Sequence, residues 1–262
     1  MKLSNIIKIL ENRFPLNNAE EWDNVGLIIG NRKQEIKKVQ ISLDITDKVI
    51  ENAINSKVDL IISHHPFIFS PKNKINTDFS VGRKTLKLIS NGISVYTLHT
   101  NLDSSMDGLN DLLVKKLKLV STRIIDGKTD GDKTCGIGRD CKMNEPILLK
   151  DFITNVKSLL SLEKIIVSGK DIESKKISKV AVVNGSGSSY WRKSRSVGAE
   201  VLITGDLKYH DALDAKEDGM IIMDIGHYES ERFFYEIILK LIENIEELET
   251  IVYNDEKVLE IF

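Results

Sequence analysis

The run Asp59-Leu60-Ile61-Ile62-Ser63-His64-His65-Pro66 constrains this chain more than any other stretch. A short apolar run bounded by Asp and Pro reads as a strand buried on both faces, the kind found in parallel sheets. In open α/β sheets, ligands gather just beyond the carboxyl ends of the strands. Two adjacent imidazoles at such an end suit a metal, a phosphate, or no ligand at all.

The surroundings of this run recur. Val39–Leu43 reads as a strand ending at Asp44, and residues 46–56 as a helix with Val49, Ile50, Ala53 and Ile54 on one face. With the His-His strand they form a β-α-β unit. Val39 to Asp59 spans twenty positions, and so does Val180 to Glu200. Asp59 through His65 then faces Glu200-Val201-Leu202-Ile203-Thr204-Gly205-Asp206. Gly92 opens a strand that ends in His99-x-x-x-Asp103, and Gly219 opens one that ends in His227-x-x-x-Glu231. The second copy lacks the polar loop at 70–80. The expectation is an α/β protein of two similar α/β lobes, facing each other across a metal-containing cleft. One lobe takes residues 1–126 and the other 127–262, with the Gly-rich stretch 119–146, a mixture of short strands and turns, as their junction.

Apolar spacing predicts further helices over 3–14, 81–90, 105–118, 147–160 and 190–197, and one long helix over 230–246 with Phe233 and Phe234 on its core face. Strands are expected at Ile93–Leu98, 164–168, Val180–Val183, Val201–Thr204 and Met220–Ile225, with edge strands at Ile251–Tyr253 and Val258–Ile261, and Leu27–Ile29 is apolar. Trp22-Asp23-Asn24 has two readings: pocket lining, or a core aromatic followed by a turn whose side chains bond nearby backbone.

All five histidines fall at these strand ends: His64 and His65, His99, and His210 with His227. Asp103 and Glu231 each follow one of them by four residues. Imidazole and carboxylate together suit zinc, manganese, iron, cobalt or nickel. Three histidines and two carboxylates suffice for two divalent ions when one carboxylate bridges, and paired ions activate water for hydrolysis. His64, His65, Asp103, His227 and Glu231 are therefore the candidate metal ligands. His99 and His210 are candidates for proton transfer or for supporting the ligands, and Glu229 reads as a solvated residue at a helix entry. Gly185-Ser186-Gly187, between a strand and a helix, suits either a phosphate cradle or a tight turn. The Gly-x-x-x-x-Gly-Lys-Ser/Thr pattern of a conventional NTPase is missing.

Lys+Arg 37 against Asp+Glu 39 leaves a formal net charge of -2, without the basic excess of a general nucleic-acid binder. Cys135 and Cys141 fit no common zinc knuckle and read as reduced thiols. No apolar run approaches the roughly 20 residues of a membrane span. The first residues lead into an amphipathic helix rather than a signal-peptide core, so a cytoplasmic protein is expected.

Glu21-Trp22-Asp23-Asn24-Val25-Gly26-Leu27, Ser63-His64-His65-Pro66, His99-x-x-x-Asp103, the run from Gly198 to His210 and Gly226-His227-Tyr228-Glu229-Ser230-Glu231 resemble the Nif-three-like proteins, also called GTP cyclohydrolase 1 type 2 homologues. The resemblance runs nearly end to end. It implies a dinuclear metal site between two α/β lobes and assembly into a toroidal homohexamer. Carried over position by position, it puts the ligands on His64, His65, Asp103, His227 and Glu231, with Glu231 as the bridge. It corresponds to the compact form of the family, without an additional domain at the mid-chain junction. The activity it implies is metal-dependent hydrolysis of a nucleotide-like or other small molecule, with GTP named by the family. Two other readings stand beside it: a non-enzymatic metal-binding scaffold or regulatory interaction protein, and metal delivery or storage.

Overall fold

The computed structural model describes residues 1–130, 133–254 and 256–259. In chain order the first elements are α1 (Leu3–Arg13), β1 (Gly26–Ile29), β2 (Lys38–Ser42), α2 (Asp47–Asn55), β3 (Leu60–Ser63), α3 (Ser80–Ser90), β4 (Ser94–Thr97), α4 (Thr100–Ser104) and α5 (Leu109–Lys116). A hairpin of β5 (Val120–Asp130) and β6 (Lys133–Leu148) follows. The remainder comprises α6 (Leu149–Leu159), β7 (Ile166–Ser168), β8 (Lys176–Ser186), α7 (Trp191–Ser196), β9 (Val201–Gly205), α8 (Tyr209–Glu217), β10 (Ile221–Asp224), α9 (His227–Glu231), α10 (Phe234–Ile242) and β11 (Glu249–Val252).

The chain forms two compact units, Met1–Leu102 with Phe234–Phe262, and Asp103–Phe233. This differs from a single cut at 126/127. The chain returns to the first unit because β11 pairs in parallel with β2, Glu249 opposite Lys38 and Val252 opposite Ile41. Asp103, expected with the N-terminal lobe, belongs to the second unit.

Each unit carries the repeat. The first sheet runs β1-β4-β3-β2-β11 and the second β5-β6-β8-β9-β10-β7. Val39, Leu60 and Ser94 stand side by side in parallel strands of the first sheet. Val180, Val201 and Ile221 do so in the second. An antiparallel strand flanks each set, β1 against β4 and β7 against β10. Asp59 and Glu200, paired by the repeat, also do the same work. The Asp59 carboxylate accepts the N–H groups of Lys37 and Lys38 at 2.8 and 2.9 Å, and Glu200 accepts those of Ser178 and Lys179 at 2.7 and 3.1 Å.

Alternation explains why the strands are apolar throughout. Successive side chains point to opposite faces. In the second sheet Val180, Val182, Val201 and Ile203 enter one core, while Ala181, Val183 and Leu202 enter another. In the first unit α2 is begun by Thr46, whose hydroxyl accepts the Val49 N–H at 3.2 Å, and it buries Val49, Ile50 and Ala53. These join Ile61, Leu88 and Val95 in one cluster.

Three local expectations change. The stretch 119–146 is a pair of long antiparallel strands rather than short ones, and β6 is held in turn against β8. The helix expected over 230–246 breaks at Arg232-Phe233 into α9 and α10. Its adjacent aromatics part there: Phe233 packs on the core of the second unit, and Phe234 is buried in the first. Val258-Leu259 form a bend rather than a strand, and residues 260 and 261 lie outside the described residues. Both cysteines are free, and burial pushes the Cys141 thiol up to about 12. No helix among the described residues is long and apolar enough to cross a membrane.

Candidate metal centre

In the first unit the ends of β3 and β4 bring three imidazoles together. His64, His65 and His99 each offer a nitrogen, and these atoms lie within 4.8 Å of one another. The His64 ring is 5.0 Å from that of His65 and 5.2 Å from that of His99, centre to centre. His64 is fully buried, and Phe234 packs against it at 5.2 Å.

Each ring is held by the same atom. His64 Nδ1 donates to the Leu98 carbonyl at 2.8 Å, His65 Nδ1 to Asp44 at 2.9 Å, and His99 Nδ1 to Asp23 at 2.9 Å. A carbonyl or carboxylate only accepts, so Nδ1 carries a proton, and a ring in its neutral form has its lone pair on Nε2. Metal-binding histidines are typically oriented by such a partner on the other ring nitrogen.

The reading of Trp22 as a core aromatic fails, since Trp22 is exposed, and it is Asp23 of the motif that reaches the histidine cluster. The Asp23 side chain is fully buried, and besides His99 it accepts from the Asn24 N–H, the Thr100 N–H and the Thr100 hydroxyl. Burial raises its pKa, but the His99 hydrogen bond and charge, together with the two bonds from Thr100, outweigh that and bring it down to about 2. A carboxylate with a depressed folded pKa stabilises the fold fully above its unfolded value, 3.8 here, and loses that contribution as pH falls toward 2. We therefore expect the stability gap between wild type and Asp23→Asn, from urea unfolding, to be constant from neutral pH down to about 5. It should then shrink steadily toward pH 2. A gap unchanged at pH 2 contradicts the assignment.

The second unit contributes a different set. His227 and Glu231 lie one turn apart on α9, with His227 Nε2 3.0 Å from Glu231 Oε2. His227 Nδ1 donates to Asp206 at 2.7 Å, repeating the pattern of the other three histidines. Asn184, at the end of β8, donates from one amide nitrogen to Asp103 Oδ1 and to Glu231 Oε1, both at 2.9 Å. Asn110 completes the frame. Its oxygen accepts the Asn184 N–H at 3.1 Å, and its amide donates to the Asp103 carbonyl at 3.1 Å. Asn184, Asp103 and Glu231 are all buried. A hydrogen bond to an ionised carboxylate contributes roughly 1.5–3 kcal/mol, so this one amide does much to hold the two carboxylates together.

Gly185, Ser186 and Gly187 are weighed above as a phosphate cradle or a tight turn. The Gly185 N–H donates to Ser230 Oγ at 2.9 Å, and the Gly187 N–H to Thr204 Oγ1 at 2.9 Å, so two of the three amides are spent within the protein. Glycine also permits close approach here. A Cβ on Gly185, at φ +60, would stand 2.3 Å from Glu231 Oε1 and 3.5 Å from His227 Nε2. One on Gly205 would stand 2.7 Å from the His227 Cα. His210 is exposed on α8 with its ring edge-on to Tyr209, and it joins no cluster of possible ligands among the described residues.

Sequence reasoning missed Asn184, Asp44 and Asp206 as working residues. Asp44 and Asp206 carried a signal, since each follows a parallel strand directly beside a histidine-bearing strand end. Asn184, written before a glycine, looks like an ordinary turn residue.

The family model for Duf34/NIF3 (NGG1p interacting factor 3) matches residues 1–257. A protein of Clostridium perfringens named GTP cyclohydrolase 1 type 2 homolog is 40% identical over 247 residues, covering 94% of this chain and 92% of that protein. Among solved structures, Staphylococcus aureus protein SA1388 superposes with a TM-score of 0.89 at 27% identity, over 100% of this chain and 99% of the other. Reduced HcgD from Methanocaldococcus jannaschii gives 0.82 at 30% identity, over 97% and 98%.

Proposed function

Because the chain belongs to the Duf34/NIF3 family, we propose that it is a hydrolase that uses two divalent metal ions on a nucleotide-like small molecule. The ligands are His64, His65, Asp103, His227 and Glu231. The observation that carries the reading is the shared orientation of the histidines. His64, His65, His99 and His227 each spend Nδ1 on a carbonyl or carboxylate, so Nε2 is the nitrogen each ring has available for a metal. Imidazole nitrogens and carboxylate oxygens are a donor set suited to zinc, manganese, iron, cobalt or nickel, so the residues fit the group.

When bound, paired divalent ions supply Lewis acidity and lower the pKa of water toward neutrality. The remaining work falls to the chain. Asp44 and Asp206 orient the His65 and His227 rings. Asn184 keeps the Asp103 and Glu231 carboxylates aligned as acceptors. His99 serves as the proton carrier: its Nε2 takes a proton, and Asp23, ionised down to about pH 2, stabilises the resulting imidazolium through Nδ1. His210, exposed on α8, has no part in this scheme.

The name of the Clostridium perfringens relative makes GTP the first substrate to try. Protein reconstituted with each of the five metals should open the ring of GTP with release of formate, measured by a coupled formate assay. Absence of formate with every metal overturns the cyclohydrolase form of the proposal. The family description, an interacting factor, favours a second reading in which a homohexameric metal-binding scaffold presents a surface to protein partners. Bound metal without turnover of any nucleotide, phosphodiester or amide would select that reading.

A further inference from the structure

The motif Trp22-Asp23-Asn24 is only partly used by the mechanism above, which takes Asp23 alone. Trp22 itself is 57% exposed and Phe69 is 53% exposed, unusual for two large aromatic rings that touch. Their centres are 5.6 Å apart with the planes tilted by 38°. Trp22 also meets the ring of His99 edge-on, at 6.1 Å. The pair therefore forms an open aromatic shelf beside the cluster of His64, His65 and His99.

The shelf is braced from beneath. Asp23 ties the Trp22 loop to His99 and to Thr100. Asn24 Nδ2 donates to the Ile68 carbonyl at 2.6 Å, which fixes the backbone immediately before Phe69. So each residue of the motif has a task. Trp22 supplies a face, Asp23 sets the histidine next to it, and Asn24 sets the second ring. Partly buried polar bonds on both neighbours thus fix the position of two rings that are themselves exposed.

We propose that Trp22 and Phe69 form a stacking subsite for a flat aromatic heterocycle, a nucleobase or a ring of similar shape, which sets that ring against His99. This rests on the hydrolase reading for the identity of the neighbouring site, and not for the binding itself. Stacking of a base on an aromatic side chain typically changes affinity by about 10-fold or more.

The chain offers its own reporter. It has two tryptophans, Trp22 and Trp191, and Trp191 is buried with 1% exposure. Emission at long wavelength therefore belongs to Trp22. Titrating the full chain with guanosine 5′-triphosphate should quench that component saturably and spare the buried one, while ribose 5-triphosphate, which lacks a base, should quench neither. By isothermal titration, Trp22→Leu should weaken guanosine triphosphate binding by about 10-fold or more and leave ribose triphosphate binding and metal content unchanged. Trp22→Phe should recover most of the affinity. Equal affinity of wild type and Trp22→Leu for guanosine, adenosine and cytidine triphosphates overturns the proposal, as does a failure of wild type to bind any of them. A lower association state in Trp22→Leu also overturns it, since the shelf is then covered by a second copy. Base-dependent quenching without turnover would sink the hydrolase reading and leave the subsite standing. Turnover with unchanged affinity in Trp22→Leu would do the reverse.

Discussion

Glu231→Ala should yield a folded protein that has lost its metal and, with it, its turnover. Glu231 is 3% exposed, and its two oxygens are divided between Asn184 and His227. Removing the side chain takes away one of the five proposed ligands and leaves the Asn184 amide with one carboxylate instead of two. Losing a partner outside the ligand set already costs metal sites about 10–100-fold, so losing a proposed ligand should lower any metal-dependent turnover by at least about 100-fold. The effect on metal-free stability should be small. A hydrogen bond to a carboxylate worth roughly 1.5–3 kcal/mol is lost, but so is one of two buried carboxylates held against a single amide. The metal-free variant should therefore melt within a few degrees of metal-free wild type. Metal should raise the wild-type melting temperature well above both, since ligand at 100 times its Kd adds about 2.7 kcal/mol. Calorimetry with and without metal checks this. Equal stabilisation by metal in the variant contradicts it.

Gly185→Ala should reach nearly the same end without touching a ligand. At φ +60 an alanine is strained by about 1 kcal/mol. The larger consequence is local, because its Cβ would lie 2.3 Å from Glu231 Oε1. A free carboxylate would swing aside at little cost. This one is buried, held by Asn184 on one oxygen and 3.0 Å from His227 on the other, so it moves only by giving up those bonds. The variant should fold, lose a few degrees of melting temperature, and bind metal at least about 10-fold more weakly, as when an orienting partner is lost. Wild-type affinity in Gly185→Ala would show that the carboxylate position seen here is not the one metal binding uses.

Much of this was legible in the chain. The twenty-residue spacing and the apolar strands exposed the repeat, because a strand buried on both faces has few acceptable residues. The strand ends exposed the histidines, since parallel strands deliver their last residues to one edge. The break between Glu231 and Phe234 was hidden, for Phe233 and Phe234 continue an apolar helical pattern although they serve different cores. The Asn184 clamp was hidden for another reason. It depends on three side chains distant in sequence, 184, 103 and 231, and nothing in local spacing distinguishes a clamp from a turn. The two compact units differ from a cut at 126/127 in part because β11, a short strand near the end, returns to pair with β2.

The central claim is that these residues hold two metal ions, and elemental analysis tests it most directly. Full-length protein equilibrated with manganese, zinc, iron, cobalt or nickel, then freed of unbound ion, should retain two ions per chain with at least one of these metals. Glu231→Ala and Gly185→Ala, treated alike, should retain fewer. Wild type that keeps no ion, or variants that keep as many as wild type, would contradict the account.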